Sequence, residues 1–251
     1  MAPRVKKLVY RLRTGEELAF ENAQRVSADY GDVVLDLHHD VLTAEMRGVC
    51  ESVHEARRRV ESLLEAWSVH TALNTGDRIR FAFETAEMEQ EPKTPGSVSI
   101  YVEGGVDVTA MTGIVHLKTT RSRYPEPPVG FAVSADVRSL WNRLDSYLRG
   151  HEPLPSMAYF CFTLVRDMGG GMHKAPDYFR VSHKVLKRLG RLTSAVGNHE
   201  IGRKAGLDRS HTAVELEWIE AVVKALILRA GEVAAGKSNL PLIDIAQFPR
   251  L

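Results

Sequence analysis

The spacing of apolar residues changes partway along this chain of 251 residues, and that change constrains the fold more than any other feature. In the first half, apolar and polar residues alternate, as in residues 5–13 and 79–84, a pattern typical of half-buried strands. In the second half, apolar residues recur every three or four positions, which is typical of amphipathic helices. This order predicts an α+β protein, with a β-rich N-terminal module followed by an all-helical C-terminal bundle.

The β-rich module is predicted to contain one packed helix over about residues 53–75. Ser52 and Glu55 have the spacing of a capping box, in which the serine oxygen accepts an amide proton and the glutamate reaches back to the cap. Gly76 stands where a glycine often ends a helix. Apolar residues at helical spacing between these signals indicate a helix that packs on the sheet.

The strands of this module are predicted from alternation and from turn residues. After residues 5–13, Thr14 and Gly15 favour a turn, so we predict a hairpin with a second strand near residues 18–20. Further strands are predicted at residues 33–37, 41–46, 79–83, 98–102, 106–108 and 114–118.

The segment TTRSRYPEPP, residues 119–128, is predicted to link the two modules. It shows no periodicity, and its prolines remove backbone donors and disfavour helix in the residues before them. We therefore place the β-rich module at residues 1–120, the helical bundle at residues 129–234 and an extended, partly apolar tail at residues 235–251.

Three helices of the bundle have clear sequence signals. Ser134 is a favourable cap for the first, and Thr212 with Glu215 has the capping-box spacing for the last, which is predicted to end at Gly231. Residues 157–168 are apolar on nearly every side, which is typical of a helix in the centre of a bundle.

A basic helix is predicted between the central and the last helix, over about residues 177–194. Its basic residues share one face, and we call them the cationic ridge: Arg180, Lys184, Lys187, Arg188 and Arg191. Its apolar residues share another face: Val181, Val185, Leu189 and Leu192. The helix is therefore expected to pack on the bundle and to present the ridge to solvent or to an anionic partner.

The formal net charge of +1 hides an uneven distribution. Residues 1–120 hold 14 Lys and Arg against 19 Asp and Glu, whereas residues 121–251 hold 19 against 13. Only the second part is therefore expected to attract phosphate, which favours RNA or an acidic protein as a partner. Because charged helix faces usually contact only water, a plain solvated surface stays open as the alternative.

Secretion and membrane insertion are not expected. The N-terminus lacks the apolar core of a signal peptide, and no stretch approaches the roughly 18 apolar residues of a membrane span, so we expect a cytoplasmic protein. The two cysteines, Cys50 and Cys161, lie in different contexts and indicate reduced thiols rather than a disulfide framework. Cys161 lies among aromatic residues, where burial raises the pKa of a thiol and keeps it inert.

Three blocks of the sequence resemble a group of bacterial proteins called MauJ-like: EARRRVESLLEAW, then SMAYFCFTLV followed by VSHKVLKRLGRLTS, and RKAGLDRSHTAVELEWIEAVVKALILRAGE. The resemblance covers about residues 50–235 and consists of packing and capping patterns. The C-terminal helices are also similar, more distantly, to HEPN-type four-helix domains. That group includes RNases of toxin and antiphage systems as well as inactive binding versions, so the resemblance implies a helical bundle linked to defence or toxin systems.

For an active nuclease, the HEPN resemblance implies an arginine followed a few residues later by a histidine. The guanidinium would hold the scissile phosphate while the imidazole, which titrates near neutral pH, moves a proton of the ribose 2′-hydroxyl. Arg166 and His173 are the candidate catalytic pair for such a metal-independent ribonuclease, although three glycines separate them and their place in the bundle departs from the family pattern. Two further pairs have a related spacing: Arg203 with His211, and Arg47 with His54.

No metal or cofactor is expected. Adjacent histidines of a strand point to opposite faces, so His38 and His39 would not readily ligate one ion. The glycines at 169–171 with Lys174 lack the spacing and the preceding strand of a phosphate loop, so an interhelical turn explains them better.

Two function classes therefore stay open. The first is a non-catalytic binding or assembly protein, accessory to a defence or toxin-linked system, that uses the cationic ridge to bind RNA or an acidic partner. The second is a ribonuclease acting through Arg166 and His173. Helical bundles of this type often pair, so both a monomer and a homodimer are compatible with the sequence.

Overall fold

The computed structural model describes residues 4–89, 100–102, 119–195 and 210–251. The chain forms two compact units, Met1–Val129 and Gly130–Leu251. The first is rich in strands and contains one long helix, whereas the second is helical. The α+β fold class predicted from the two periodicities is confirmed.

Eight strands form two sheets in the described part of the chain. Their bounds are β1 (Arg4–Thr14), β2 (Leu18–Gln24), β3 (Val26–Asp29), β4 (Val33–His38), β5 (Val41–Met46), β6 (Ile79–Glu89), β7 (Ile100–Val102) and β8 (Thr119–Arg123). The larger sheet is antiparallel throughout, in the order β3-β4-β5-β1-β6-β7. The smaller sheet consists of β2 and β8, which run parallel.

The predicted hairpin between β1 and β2 is wrong, because other strands occupy both edges of β1. β5 pairs with one edge and β6 with the other, while β2 pairs with β8. A turn does form at the predicted place, where the Leu18 N–H donates to the Gly15 carbonyl at 3.1 Å. The first five residues of the predicted linker are strand β8. The strands predicted at residues 106–108 and 114–118 lie outside the described residues.

One helix, α1 (Val53–Thr75), packs on β1 and β6 of the larger sheet. It begins where the sequence predicts, since the Ser52 hydroxyl accepts the Glu55 N–H at 3.2 Å. It ends at Gly76, whose φ of 77° is the left-handed conformation that glycine adopts without a steric penalty. Trp67, on the buried face of this helix, donates its indole N–H to the Pro125 carbonyl at 3.2 Å.

The second unit contains five α-helices in its described residues: α2 (Ala135–Leu148), α3 (Leu154–Met168), α4 (Ala175–Phe179), α5 (His183–Ala195) and α6 (Ala213–Ala234). α3 packs against α2, α5 and α6, as expected for its nearly all-apolar surface. Ser134 caps α2, and both bonds of the predicted capping box, between Thr212 and Glu215, are formed at the start of α6.

The last helix does not end at Gly231 as predicted but continues to Ala234. Glycine at this position serves packing, because a Cβ atom there would lie 2.1 Å from Cε2 of Phe131. The sequence signal was therefore interpreted wrongly: a glycine near the end of a helical pattern permits either a turn or the close approach of another side chain.

Candidate nucleic-acid interface

The predicted basic helix over residues 177–194 is interrupted, which corrects the composition of its charged face. α4 ends at Phe179, and Arg180 adopts the left-handed conformation with a φ of 50°. That conformation is uncommon for a residue with a side chain and is incompatible with a continuing right-handed helix. α5 begins only at His183. Because the helix is interrupted at this residue, Arg180 does not share a helix face with the other four basic residues. Its side chain is exposed just before α5 begins.

A buried arginine on α6 holds the chain at this interruption. Arg229 is 4% exposed, and its Nη1 donates to the carbonyls of Phe179 at 2.6 Å and of Arg180 at 3.1 Å. Its Nη2 donates to the Pro241 carbonyl at 2.7 Å, and its Nε pairs with Glu232 at 3.0 Å. One guanidinium thus satisfies three main-chain carbonyls from two separate segments, which is a use of its fixed fork of donors.

The C-terminal tail also contacts this interruption. Ile243 donates its N–H to the Arg180 carbonyl at 2.8 Å, and the Ser182 N–H donates to the Ile243 carbonyl at 2.8 Å. These bonds place Ile243 beside Val181 in a parallel bridge. The tail therefore fixes the approach to α5 by main-chain pairing as well as by burying Leu240.

α5 packs on the bundle through one apolar face. Four of its side chains are at most 2% exposed: Val185, Leu186, Leu189 and Leu192. α5 also approaches α3 closely, since a Cβ atom at Gly190 would lie 2.8 Å from Cζ of Phe162. This tight packing fixes which face of α5 is turned away from the bundle.

The face turned away from the bundle carries four basic residues, which we call the α5 cationic face: Lys184, Lys187, Arg188 and Arg191. At 3.6 residues per turn they lie within an arc of about 100°. Lys184, Lys187 and Arg191 are exposed and Arg188 is half-buried. The exposed cationic face predicted from the sequence is thus present, with four members in place of five.

None of the four side chains forms an ion pair with a carboxylate of the described residues. α5 itself, HKVLKRLGRLTSA, contains no acidic residue. In the same unit, six other basic side chains do form ion pairs: Arg143, Arg149, Arg166, Lys224, Arg229 and Lys237. The α5 cationic face therefore retains charge that these other positions neutralise.

The spacing within the α5 cationic face places like charges side by side. Lys184 is three residues from Lys187 and four from Arg188, and Arg191 has the same relations to Arg188 and Lys187. Each such like-charge pair destabilises an isolated helix by about 0.2–0.5 kcal/mol. Lys184 also lies in the first turn, where the helix dipole disfavours a cation. The arrangement opposes helix stability in the absence of a bound anion.

The two residues of the candidate catalytic pair lie at either end of the turn between α3 and α4. Arg166 is paired with the adjacent Asp167 at 2.9 Å, and its carbonyl accepts the Gly171 N–H at 2.8 Å. His173 is exposed in the turn that precedes α4. No hydrogen bond joins the side chains of these two described residues. A catalytic role for Arg166 and His173 stays a prediction.

The alternative arginine–histidine pairs have structural roles or lie outside the described residues. The ring Nε2 of His211 contacts the Leu192 carbonyl at 2.9 Å, near the end of α5, while Arg203 is not among the described residues. In the first unit, Arg47 pairs with Asp29 at 2.7 Å, and His54 lies in the first turn of α1.

The adjacent histidines of the first unit are not placed as the sequence predicts. His38 ends β4, but His39 adopts a left-handed conformation with a φ of 49° in the turn to β5. The two rings therefore lie 3.8 Å apart between centroids, whereas successive residues of a strand would point to opposite faces. Among the described residues, no group of three or more His, Cys, Asp and Glu side chains is placed to hold a metal ion.

Both cysteines are buried and free, as expected. Burial, with a smaller contribution from the charge of Glu152, raises the pKa of the Cys161 thiol to about 12. A thiol with this pKa is protonated at neutral pH and is a poor nucleophile. No helix in the described part of the chain is long and apolar enough to cross a bilayer.

Sequence reasoning missed two residues near α5. Arg229 interrupts the apolar run ALILRAG of α6, and an isolated cation within an apolar run is a recognisable signal of a buried polar contact. Tyr178 is 52% exposed on α4, and only the break at Arg180 shows that it does not belong to α5.

Comparisons of the chain with protein-family models, with curated proteins and with solved structures find no match. The resemblance to MauJ-like proteins and to HEPN domains therefore stays a prediction from the sequence blocks. The description of the α5 cationic face therefore rests on the structure of this chain alone.

Proposed function

We propose that the second unit is a non-catalytic RNA-binding or assembly module that contacts phosphates through the α5 cationic face. The observation that carries the proposal is four neighbouring basic side chains, fixed outward by a buried apolar face and without an ionic partner in the described part of the chain. Clusters of Lys and Arg neutralise phosphate backbones, and these contacts supply most of the affinity in binding without sequence preference.

The energetics of α5 favour this proposal over a solvated surface. A solvated helix gains nothing from like charges three and four residues apart, and it is usually stabilised by opposite charges at those spacings. A bound phosphate chain would turn this repulsion into attraction and would release counterions. From Lys184 to Arg191 the helix rises about 10 Å, a length over which one nucleic-acid strand presents several phosphates.

The test is RNA binding as a function of salt concentration, measured by fluorescence anisotropy with a labelled single-stranded RNA and a labelled duplex RNA. The variant is K184Q/K187Q/R188Q, which removes three charges while keeping residues of similar helix propensity. Loss of three phosphate contacts should flatten the slope of log K against log salt by about 2 for a single strand.

The matched control is R149Q/K224Q/K237Q, which removes the same charge from the same unit at positions that are ion-paired. It should keep nearly the full slope. An equal loss in both variants would show attraction by net charge alone, and the proposed site would be wrong. Absence of binding by the natural protein at low salt would end the proposal.

An acidic protein is the alternative partner for the α5 cationic face. Competition by polyglutamate at a charge concentration equal to that of the RNA distinguishes the two, because nucleic-acid binding should resist it. A cytoplasmic location and an accessory role in a defence or toxin-linked system belong to this proposal. They are supported only by the sequence features and the HEPN resemblance.

A further inference from the structure

One exposed aromatic side chain lies close in sequence to the α5 cationic face. Among the large hydrophobic side chains exposed in residues 4–89, 119–194 and 210–251, Tyr178 is the one aromatic, and the others are valines and leucines. A single exposed hydrophobic side chain is ordinary by itself, so the significance of Tyr178 depends on the charged residues near it in the chain.

Tyr178 is held in place by contacts on both its side chain and its backbone. Its ring makes an edge-to-face contact with Phe179, with centroids 4.8 Å apart and an interplanar angle of 87°. Phe179 is fully buried. In an edge-to-face pair at least one face of each ring is left uncovered by the other. The Tyr178 N–H donates to the Lys174 carbonyl at 3.0 Å. Arg229 donates to the carbonyl of the following residue, Phe179.

The chain limits how far this ring can lie from the basic residues. Tyr178 precedes Lys184 by six positions, so their Cα atoms lie within about 22 Å even for a fully extended chain. Between them lies Arg180, which is exposed and forms no ion pair with a described carboxylate. The one opposing charge on α4 is Asp177, which is also exposed.

An exposed aromatic ring a few residues before a row of cations suits one form of nucleic acid in particular. Proteins that bind single strands combine a cationic track for the backbone with aromatic rings on which unpaired bases stack. A duplex offers the same phosphates, but its bases are already stacked on one another. Its grooves expose base edges and not base faces, so a tyrosine ring has no base on which to stack. The aromatic ring therefore adds affinity only for a single strand.

Resting on the proposed function, we infer that the RNA bound at the α5 cationic face is single-stranded, with one base stacked on Tyr178. Arg180 then contacts the phosphate chain between this base and α5. Stacking makes no demand on base identity, so the site prefers single strands without reading a sequence.

The experiment compares Tyr178→Ala, Tyr178→Leu and Tyr178→Phe with the natural protein, using the same single-stranded and duplex RNAs across the salt range. Loss of the ring in the Ala and Leu variants should weaken single-strand binding about 5- to 100-fold. It should leave duplex binding and both salt slopes unchanged, because no phosphate contact is lost. The Phe variant keeps the ring and should bind as the natural protein does.

The outcomes separate this inference from the proposed function. If the Ala and Leu variants bind single strands as tightly as the natural protein, or lose duplex binding equally, stacking on Tyr178 is wrong while the α5 cationic face still binds RNA. If K184Q/K187Q/R188Q binds both RNAs with an unchanged slope, the proposed function is wrong. The Leu variant keeps an apolar side chain on α4, so it reports on stacking even if the Ala variant fails to fold.

Discussion

Helix α1 of the first unit and helix α5 of the second both bury an apolar face, yet they arrange their charges differently. On α1, Arg57 pairs with Glu61 at 2.8 Å and Arg59 pairs with Glu55 at 2.7 Å, each four residues away. α5 uses the same spacings for like charges and has no carboxylate of its own. The pairing of charged residues within one turn, and not their number, therefore decides whether a helix face keeps charge available to a partner.

The two helices also begin differently. α1 starts at its own serine cap, a local signal, whereas the chain before α5 is fixed by bonds from Arg229 and from the tail. The stability of α5 should therefore depend on a remote side chain, and that of α1 should not. The charge pattern and the helix start can be tested separately, because they involve different residues.

The largest effect is expected from Arg229→Met, which removes three bonds to main-chain carbonyls, two before α5 and one in the C-terminal tail. Buried carbonyls left without a donor, together with lost hydrogen bonds to a charged group, should lower the free energy of unfolding of the second unit by about 3–5 kcal/mol. Urea unfolding followed by circular dichroism measures this loss. Hydrogen exchange should show early opening of residues 179–186.

The matched control for that substitution is Arg149→Met. Arg149 forms one partly exposed ion pair, with Asp145 at 2.7 Å, so its loss should cost less than about 0.5 kcal/mol. Equal losses in the two variants would show that the start of α5 does not depend on the bonds made by Arg229.

A smaller effect of opposite sign is expected from Lys184→Glu, which gives α5 the charge pattern of α1. The new carboxylate would pair with Lys187 and Arg188 and would favour the positive end of the helix dipole. After screening by solvent, the second unit should gain about 1 kcal/mol in low salt. The same variant should bind RNA more weakly than K184Q does alone.

Salt provides the check on this gain. In 1 M salt, where the Debye length is about 3 Å, the difference between Lys184→Glu and the natural protein should largely disappear. A gain that persists in high salt would point to altered packing of α5 and not to charge repulsion.

The smallest effect is expected from Glu55→Gln on α1. The substitution removes one partly exposed pair with Arg59 and one negative charge from the first turn, so the first unit should lose about 0.5 kcal/mol or less. RNA binding should not weaken. A large loss of stability would show that the stability of α1 depends strongly on its surface ion pairs, in contrast to the expectation above.

Elements whose signals are local could be predicted from the sequence. The cap at Ser52, the capping box of Thr212 and Glu215, and the apolar face of α5 each depend on residues within one or two turns. Such features can be recognised from spacing alone, because a helix brings residues three and four apart together in any context.

Elements whose partners are distant in sequence could not be predicted from it. The pairing of β1 with β5 and β6 excludes the local hairpin, and nothing near Thr14 and Gly15 indicates which strands are available. The break at Arg180 has the same origin, since it depends on Arg229 and on Ile243, about 50 and 63 residues away in the chain.

Local patterns in the sequence were enough to predict the α+β class, the limits of α1 and the four cations that share the outer face of α5. Contacts between distant parts of the chain, which spacing does not reveal, take Arg180 off that face and leave Tyr178 exposed before α5. This difference follows from the distance along the chain over which each interaction acts. Helix periodicity and capping act over a few residues, whereas strand pairing and the burial of a guanidinium depend on groups that only the folded chain brings together.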